Sequence, residues 1–269
     1  MQETKTSSKS NAQTKRFDYT SVLDIAIGIV IFLVAWQVVF ELKVYPYFLL
    51  PSPDMVLNEF VLLAKNGSLL LALYTTGYRL VAGFGIAIVL GVMVGFVMVT
   101  FRRFGRAMSS FALGLQSFPS IAWVPFAILI IGLTDWGIIF VMVISSVFSI
   151  MLSTYSGIRN IPPIYTKAAK NMGAKRLSLF RNVMLPAAMP SFVVGLKQAW
   201  SFSWHVLIGA EILMATIGLG AILELGAEFA RMDEIIAAMI TIFVLGLLVD
   251  KLVFVRLEQS VRSKRGLSL

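Results

Sequence analysis

The sequence predicts an all-α, polytopic membrane protein with six transmembrane helices. Three observations carry this reading. Hydrophobic residues make up 58% of the 269 residues and charged ones only 14%, against about a quarter charged in soluble domains. Apolar runs long enough to cross ~30 Å of hydrocarbon, ~20 residues each, recur along the chain. Basic residues gather in alternate connecting segments, as the positive-inside rule requires of a multi-span protein. Mean hydropathy is +0.85. The absence of Cys excludes a disulfide framework, thiolate chemistry and Cys-based metal sites.

Residues 1–21 are polar and rich in Ser, Thr and Lys, a composition expected to be disordered. The apolar run that follows is too long for a signal-peptide core, and no small-residue cleavage site follows it. The membrane unit is expected over residues 22–255, and a basic tail over 256–269. The first span covers residues 22–40. Tyr45-Pro46-Tyr47 and Leu50-Pro51-Ser52-Pro53 forbid a continuous helix and supply interfacial aromatics. Ser52-Pro53-Asp54 then caps a short helix to about Leu63. The second span lies within residues 69–100, with Gly91 and Gly95 in the spacing that lets helices approach closely.

The third span, residues 107–133, contains Pro119 and Pro125. Their freed carbonyls are tolerated where a helix lines a cavity or is covered by neighbours. The fourth span covers 136–157, the fifth 187–214 and the sixth about 234–255. An outer loop with Gly218-Leu219-Gly220 joins the last two, and a plain turn accounts for that triplet. Arg102, Arg103, Arg106, the run from Arg159 to Arg181 and the C-terminal tail fall on one side. Lys43, Lys65 and Arg231 fall on the other. Both termini are therefore expected inside the cell membrane. The positive charge, +9 overall, is explained by topology rather than by nucleic acid.

The longest basic interval between spans is IPPIYTKAAKNMGAKRLSLFRNVMLPAAMP, residues 161–190. Pro162 and Pro163 open a helix, because proline is tolerated only in a first turn. Gly173 ends that helix, since glycine accepts a positive φ. Pro186 is expected to close a second helix. Apolar residues such as Ile164, Ala168, Ala169, Met172, Leu177 and Val183 recur at helical spacing between the charges. Two short amphipathic helices with a hinge follow, with an apolar stripe for a partner groove and a basic rim.

The spacing is specific. Ala168-Ala169 is followed by three residues and Gly173. After nine intervening residues come Val183, one further residue, and Leu185-Pro186. This resembles the coupling loop of the permease subunits of binding-protein-dependent ABC importers, here over residues 159–186. Lys167 stands where that family usually has Glu. Leu50-Pro51-Ser52-Pro53, the run from Pro119 to Pro125 and Ala210-Glu211 followed by Gly218-Leu219-Gly220 look like the nitrate, sulfonate, taurine and bicarbonate branch.

The resemblance implies a type I importer transmembrane domain in the cell membrane. It also implies two ATPase subunits, a second permease copy and an extracytoplasmic solute-binding protein as partners. Lys167, Ala168, Ala169, Met172, Gly173, Val183, Leu185 and Pro186 would form the ATPase-coupling element. The solute would be small and anionic, and a thiamine-precursor system is the alternative within the family. A stand-alone secondary carrier is the other class. It has no need of this register, and no inverted repeat supports it.

The chain contains no phosphate-cradling G-x-x-x-x-G-K-[ST] sequence. It is therefore not expected to be an enzyme or to carry a cofactor of its own. ATP and Mg would be bound by the partner ATPase. His205 is the only histidine, so a metal site is unsupported.

The fifth span is the most polar. At 100° per residue Lys197, Trp204 and Glu211 fall on one face within about 40°, spread over ~21 Å. Two readings stay open. The face lines a solute route, with Trp200 and Trp204 at mid-depth; or Lys197 and Glu211 snorkel to the two interfaces and the tryptophans pack. Ser117, Phe118 and Trp123 on the broken third span are further route candidates, against core packing around a kink. Arg79 is open to three readings: it attracts an anion at the outer entrance, it snorkels, or it pairs with an acid of another segment. His205 lies about 80–100° from the Lys197 face, as a hydrogen-bonded packing residue.

Overall fold

A computed structural model describes residues 19–263, and every regular element among them is helical. The expected disorder of the N-terminal tail and the last residues of the basic tail lie outside the described residues. Helix α1 spans Tyr19–Glu41, α2 Pro53–Lys65, α3 Ser68–Thr100, α4 Arg102–Gln116 and α5 Trp123–Ile131. Helix α6 spans Asp135–Arg159, α7 Pro163–Asn171, α8 Arg176–Leu179, α9 Leu185–Leu213, α10 Leu219–Glu228, α11 Met232–Val249 and α12 Arg256–Ser263.

Five helices are long and apolar enough to cross a membrane, or six spans if the bent pair formed by α4 and α5 counts as one. The core is a three-helix layer in which α6 packs between α3 and α9. Small residues allow that packing. A Cβ on Gly91 would lie 2.7 Å from Ile150 Cβ, and one on Gly95 would lie 2.6 Å from Thr154 Cβ. Both distances are closer than real side chains approach, so α3 and α6 touch almost backbone to backbone. Gly195 gives α9 the same access to Ser149 and Ser153 on α6. The hydroxyls on α6 find partners rather than lipid. Ser145 and Ser146 donate to Met142 O, and Ser149 donates to Gly195 O at 3.3 Å. Buried polar groups in a dry layer need such partners.

Helix α2 is capped as its sequence predicts, with Ser52 Oγ accepting from Met55 N–H at 3.4 Å. Helix α1 stands apart from the layer with most of its apolar face exposed, and Trp36 Nε1 donates to Pro51 O at 2.9 Å.

Two sequence expectations change, while the break expected in the third span is present and sharp: α4 and the segment Ser120–Ile131 meet at 89°. Pro119 lacks an N–H and disfavours α geometry at Phe118, so the ladder breaks there. The segment between the fifth and sixth spans is not a bare loop, since it holds α10. The last span does not stop at Val255. Helical structure runs on through an i→i+5 turn, Asp250–Val255, into α12.

Candidate functional site

The segment expected to couple to an ATPase holds α7, with Pro163 in its first turn, where the missing N–H costs nothing. The helix ends in a Schellman arrangement. Gly173 has φ +84°, its N–H donates to Lys170 O at 2.9 Å, and Ala174 N–H reaches back to Ala169 O at 2.9 Å. A Cβ on Gly173 would meet nothing within 4 Å, so glycine is required here by the backbone alone. Ala169 turns inward, while Lys167 and Ala168 are exposed. Among the described residues Lys167 has no charged partner. Met172 is 87% exposed, Leu177 77% and Ile164 70%. Val183 is half-buried. Uncovered apolar side chains of this size on a polar segment mark an interaction surface.

Leu185 is exposed, and Pro186 does not close a second helix as expected. It lies in the first turn of α9. An i→i+5 turn, Phe180–Met184, precedes it, and Leu185 N–H bonds to Phe180 O. Pro186 therefore sits at the opening of a new ladder, where proline is tolerated. The result is one helix over Leu177–Leu213. The second amphipathic helix is the foot of span five.

At the other end of α9 lies a buried ionic knot. Glu211 is fully buried and its Oε1 accepts from Arg79 Nη1 at 2.8 Å. Thr76 Oγ1 donates to the Glu211 carboxylate at 2.9 Å, and Gly220 N–H donates to Oε2 at 3.0 Å. Arg79 is also buried. Its Nε and Nη2 donate to Asp135 Oδ1 at 2.9 and 2.6 Å, and Nη1 also reaches Ile217 O at 2.7 Å. Leu219 N–H closes the set on Thr76 Oγ1 at 3.0 Å. The knot ties α3, α6 and α9 to the start of α10. Gly218-Leu219-Gly220 is therefore more than a turn. A Cβ on Gly220 would stand 2.6 Å from Ile208 O, so only glycine admits this approach. Thr76 and Asp135 were not singled out in the sequence, and Gly220 was read only within a turn and a motif, because each gains its partner only through the fold.

Lys197 pairs with Asp250 at 3.2 Å. Trp200 is buried, meets Phe84 edge-on with centroids 5.7 Å apart, and stacks on Trp204 at 6.0 Å. The Lys197, Trp204 and Glu211 face of α9 thus turns toward neighbouring helices of the same chain. Ser117 and Phe118 are exposed at the α4–α5 break. Trp123 is half-buried and packs edge-on against Phe118 and Phe126. His205 departs from its expected place. It is exposed rather than packed, and Nδ1 lies 2.6 Å from Ser201 O in its own helix. A hollow of about 400 Å³ joins Ser117 and Phe118 to His205.

The fold is a helical membrane bundle with an uncovered, glycine-capped segment ahead of its fifth span. The chain belongs to the binding-protein-dependent transport system inner membrane component family, whose model matches residues 87–263, and is thereby an ABC importer permease. It is 31% identical over 215 residues to SsuC of Escherichia coli (strain K12), assigned as an aliphatic sulfonates transport permease; the match covers 80% of this chain and 82% of SsuC. It is 26% identical over 237 residues to the nitrate import permease protein NrtB of Synechocystis sp., covering 85% of each. The inward-facing MetNI methionine ABC transporter shares the fold at TM-score 0.55 and 21% identity, over 72% of this chain and 95% of that one.

Proposed function

We propose that this permease carries a small oxyanion, of the sulfonate, nitrate or bicarbonate kind, across the inner membrane. Its relatives are named for aliphatic sulfonates, nitrate and bicarbonate. Two copies pair in the membrane with both termini inside. Each seats α7 in a cleft of an ATPase subunit, which binds ATP and Mg, and a binding protein delivers solute outside. Lys167, Ala168, Ala169, Met172, Gly173, Val183, Leu185 and Pro186 form the coupling element.

One observation carries the reading. The exposed apolar side chains Ile164 and Met172 crowd α7 and its end, and Leu177, just beyond the Gly173 turn, opens the helix that becomes the fifth span. An ATPase that grips this segment moves α9. The small side chains of Ala168 and Ala169 let α7 seat closely, and Lys167 gives the partner a basic contact where an acid is usual.

The test is reconstitution of the permease with its ATPase and binding protein in vesicles. ATP-driven accumulation of ethanesulfonate, nitrate or bicarbonate is expected. Accumulation of none of them, from a complex that hydrolyses ATP, would reject the solute class.

A further inference from the structure

The hollow of about 400 Å³ between the α4–α5 break and α9 is walled by Gln116, Ser117, Ser120 and His205, with Phe118 and Phe202 as apolar sides. His205 is eight residues short of the end of α9, about 12 Å along the helix. At that depth an exposed polar side chain is costly against lipid and faces protein or water. None of the other residues lining the hollow is titratable.

The hydrogen bonds already made decide what the hollow offers. A backbone carbonyl only accepts. The 2.6 Å contact to Ser201 O therefore places a proton on His205 Nδ1. In the neutral ring Nε2 is then a bare acceptor and repels an anion. In the imidazolium ring Nε2 donates. Ser117 spends its proton on Leu113 O. Among the described residues the Gln116 amide and Ser120 hydroxyl have no hydrogen-bond partner, so their donors are free.

We propose that this hollow is a transient binding site for a small oxyanion, and that His205 takes up a proton from water to hold it. The anion's oxygens meet Nε2–H, the Gln116 amide and the Ser120 hydroxyl, and an apolar tail rests on Phe118 and Phe202. The proton enters as the anion binds, so the occupied site gains no net charge. This rests on reading the chain as a permease for anions.

His205 is the chain's only histidine, so a complex built from isotope-labelled permease and unlabelled ATPase reports it as a single imidazole signal. The probes are nitrate and ethanesulfonate, each compared with chloride at equal ionic strength. At fixed pH, an anion that prefers the imidazolium form tenfold raises the ratio of imidazolium to imidazole up to tenfold. Gln116→Leu and Ser120→Ala shrink that rise. An unchanged ratio in all three salts overturns the proposal.

Uptake gives a second readout. Parent uptake is expected to increase on acidification, because the anion is held by the charged ring. His205→Arg carries a fixed charge and loses this dependence, and His205→Asn lowers uptake throughout. Parental pH profiles from both variants overturn the role of His205. Absence of ATP-driven uptake by the parent complex instead counts against the importer reading, which the imidazole signal does not depend on.

Discussion

Arg79 and Glu211 lie 2.8 Å apart with side chains 3% and 0% exposed, and they join the second membrane helix to the C-terminal end of the fifth. Removing one partner of a buried pair strands the other charge, at a cost of about 3–5 kcal/mol. Arg79→Leu and Glu211→Leu are each expected to lower the melting temperature of the detergent-solubilised complex sharply. The double variant is expected to lose less than the sum of the two. Thermal unfolding followed by size-exclusion fluorescence measures this. Loss of uptake by Glu211→Gln at an unchanged melting temperature would instead assign Glu211 to the solute route.

Gly173 holds φ +84° with open space around it. Any L side chain there strains the backbone by roughly 1–2 kcal/mol, and a long one also obstructs a docked partner. Gly173→Ala is expected to insert normally and to retain partial uptake. Gly173→Arg is expected to insert normally, abolish uptake and uncouple ATP hydrolysis from solute. Uptake and ATPase rates in the same vesicles check both, and normal uptake by Gly173→Arg rejects the docking role.

Gly95 faces Thr154 with no room for a methyl group, whereas Gly85 has nothing within 4 Å. Gly95→Leu forces α3 and α6 apart, and overpacking of this kind costs about 1–3 kcal/mol. Its folded yield is expected to fall, while Gly85→Ala behaves like the parent. Equal yields would mean that the two helices do not depend on their close approach.

Arg231 binds Glu59 at 2.6 Å and Glu234 at 2.9 Å, fastening α2 to the turn before α11. Partial burial pulls the Arg231 guanidinium down, but Glu234, Glu59 and Asp233 outweigh it and hold it above the usual arginine value. A raised value means that its stabilisation is complete below the ordinary arginine pKa and is lost only as pH climbs through the raised one. Arg231 therefore contributes equally between about pH 6 and pH 9. Arg231→Gln is expected to speed hydrogen exchange in α10 and the α10–α11 turn several-fold. That difference should be the same at both ends of the range, and a pH-dependent difference would reject the assignment.

The spans were legible because 20-residue apolar runs have few other uses. The short helix α7 was legible because Pro163 can only open a helix and Gly173 readily ends one. The partners of Arg79 were not, since Asp135 and Glu211 are 56 and 132 residues away and only packing selects them among the acids. The role of Pro186 escaped because an i→i+5 turn upstream decides whether a proline ends a helix or starts one. The angular spacing on α9 did separate His205 from Lys197 and Glu211. One helix alone cannot say which of its faces its neighbours cover, and here they cover the Lys197 side.

Taken as one rigid rod, the helix over Leu177–Leu213 would be a lever arm about 55 Å long. Its fulcrum is Gly195, where α9 rests against Ser149 and Ser153. Nearly equal lengths lie on either side, so strokes at the two ends are of similar size and opposite sense. A rotation of about 5° about that point carries each end roughly 2 Å. The C-terminal end is the one knotted to Arg79, and the foot is the part left uncovered. In such a rod a pull on Leu177 would reach the knotted end as a push.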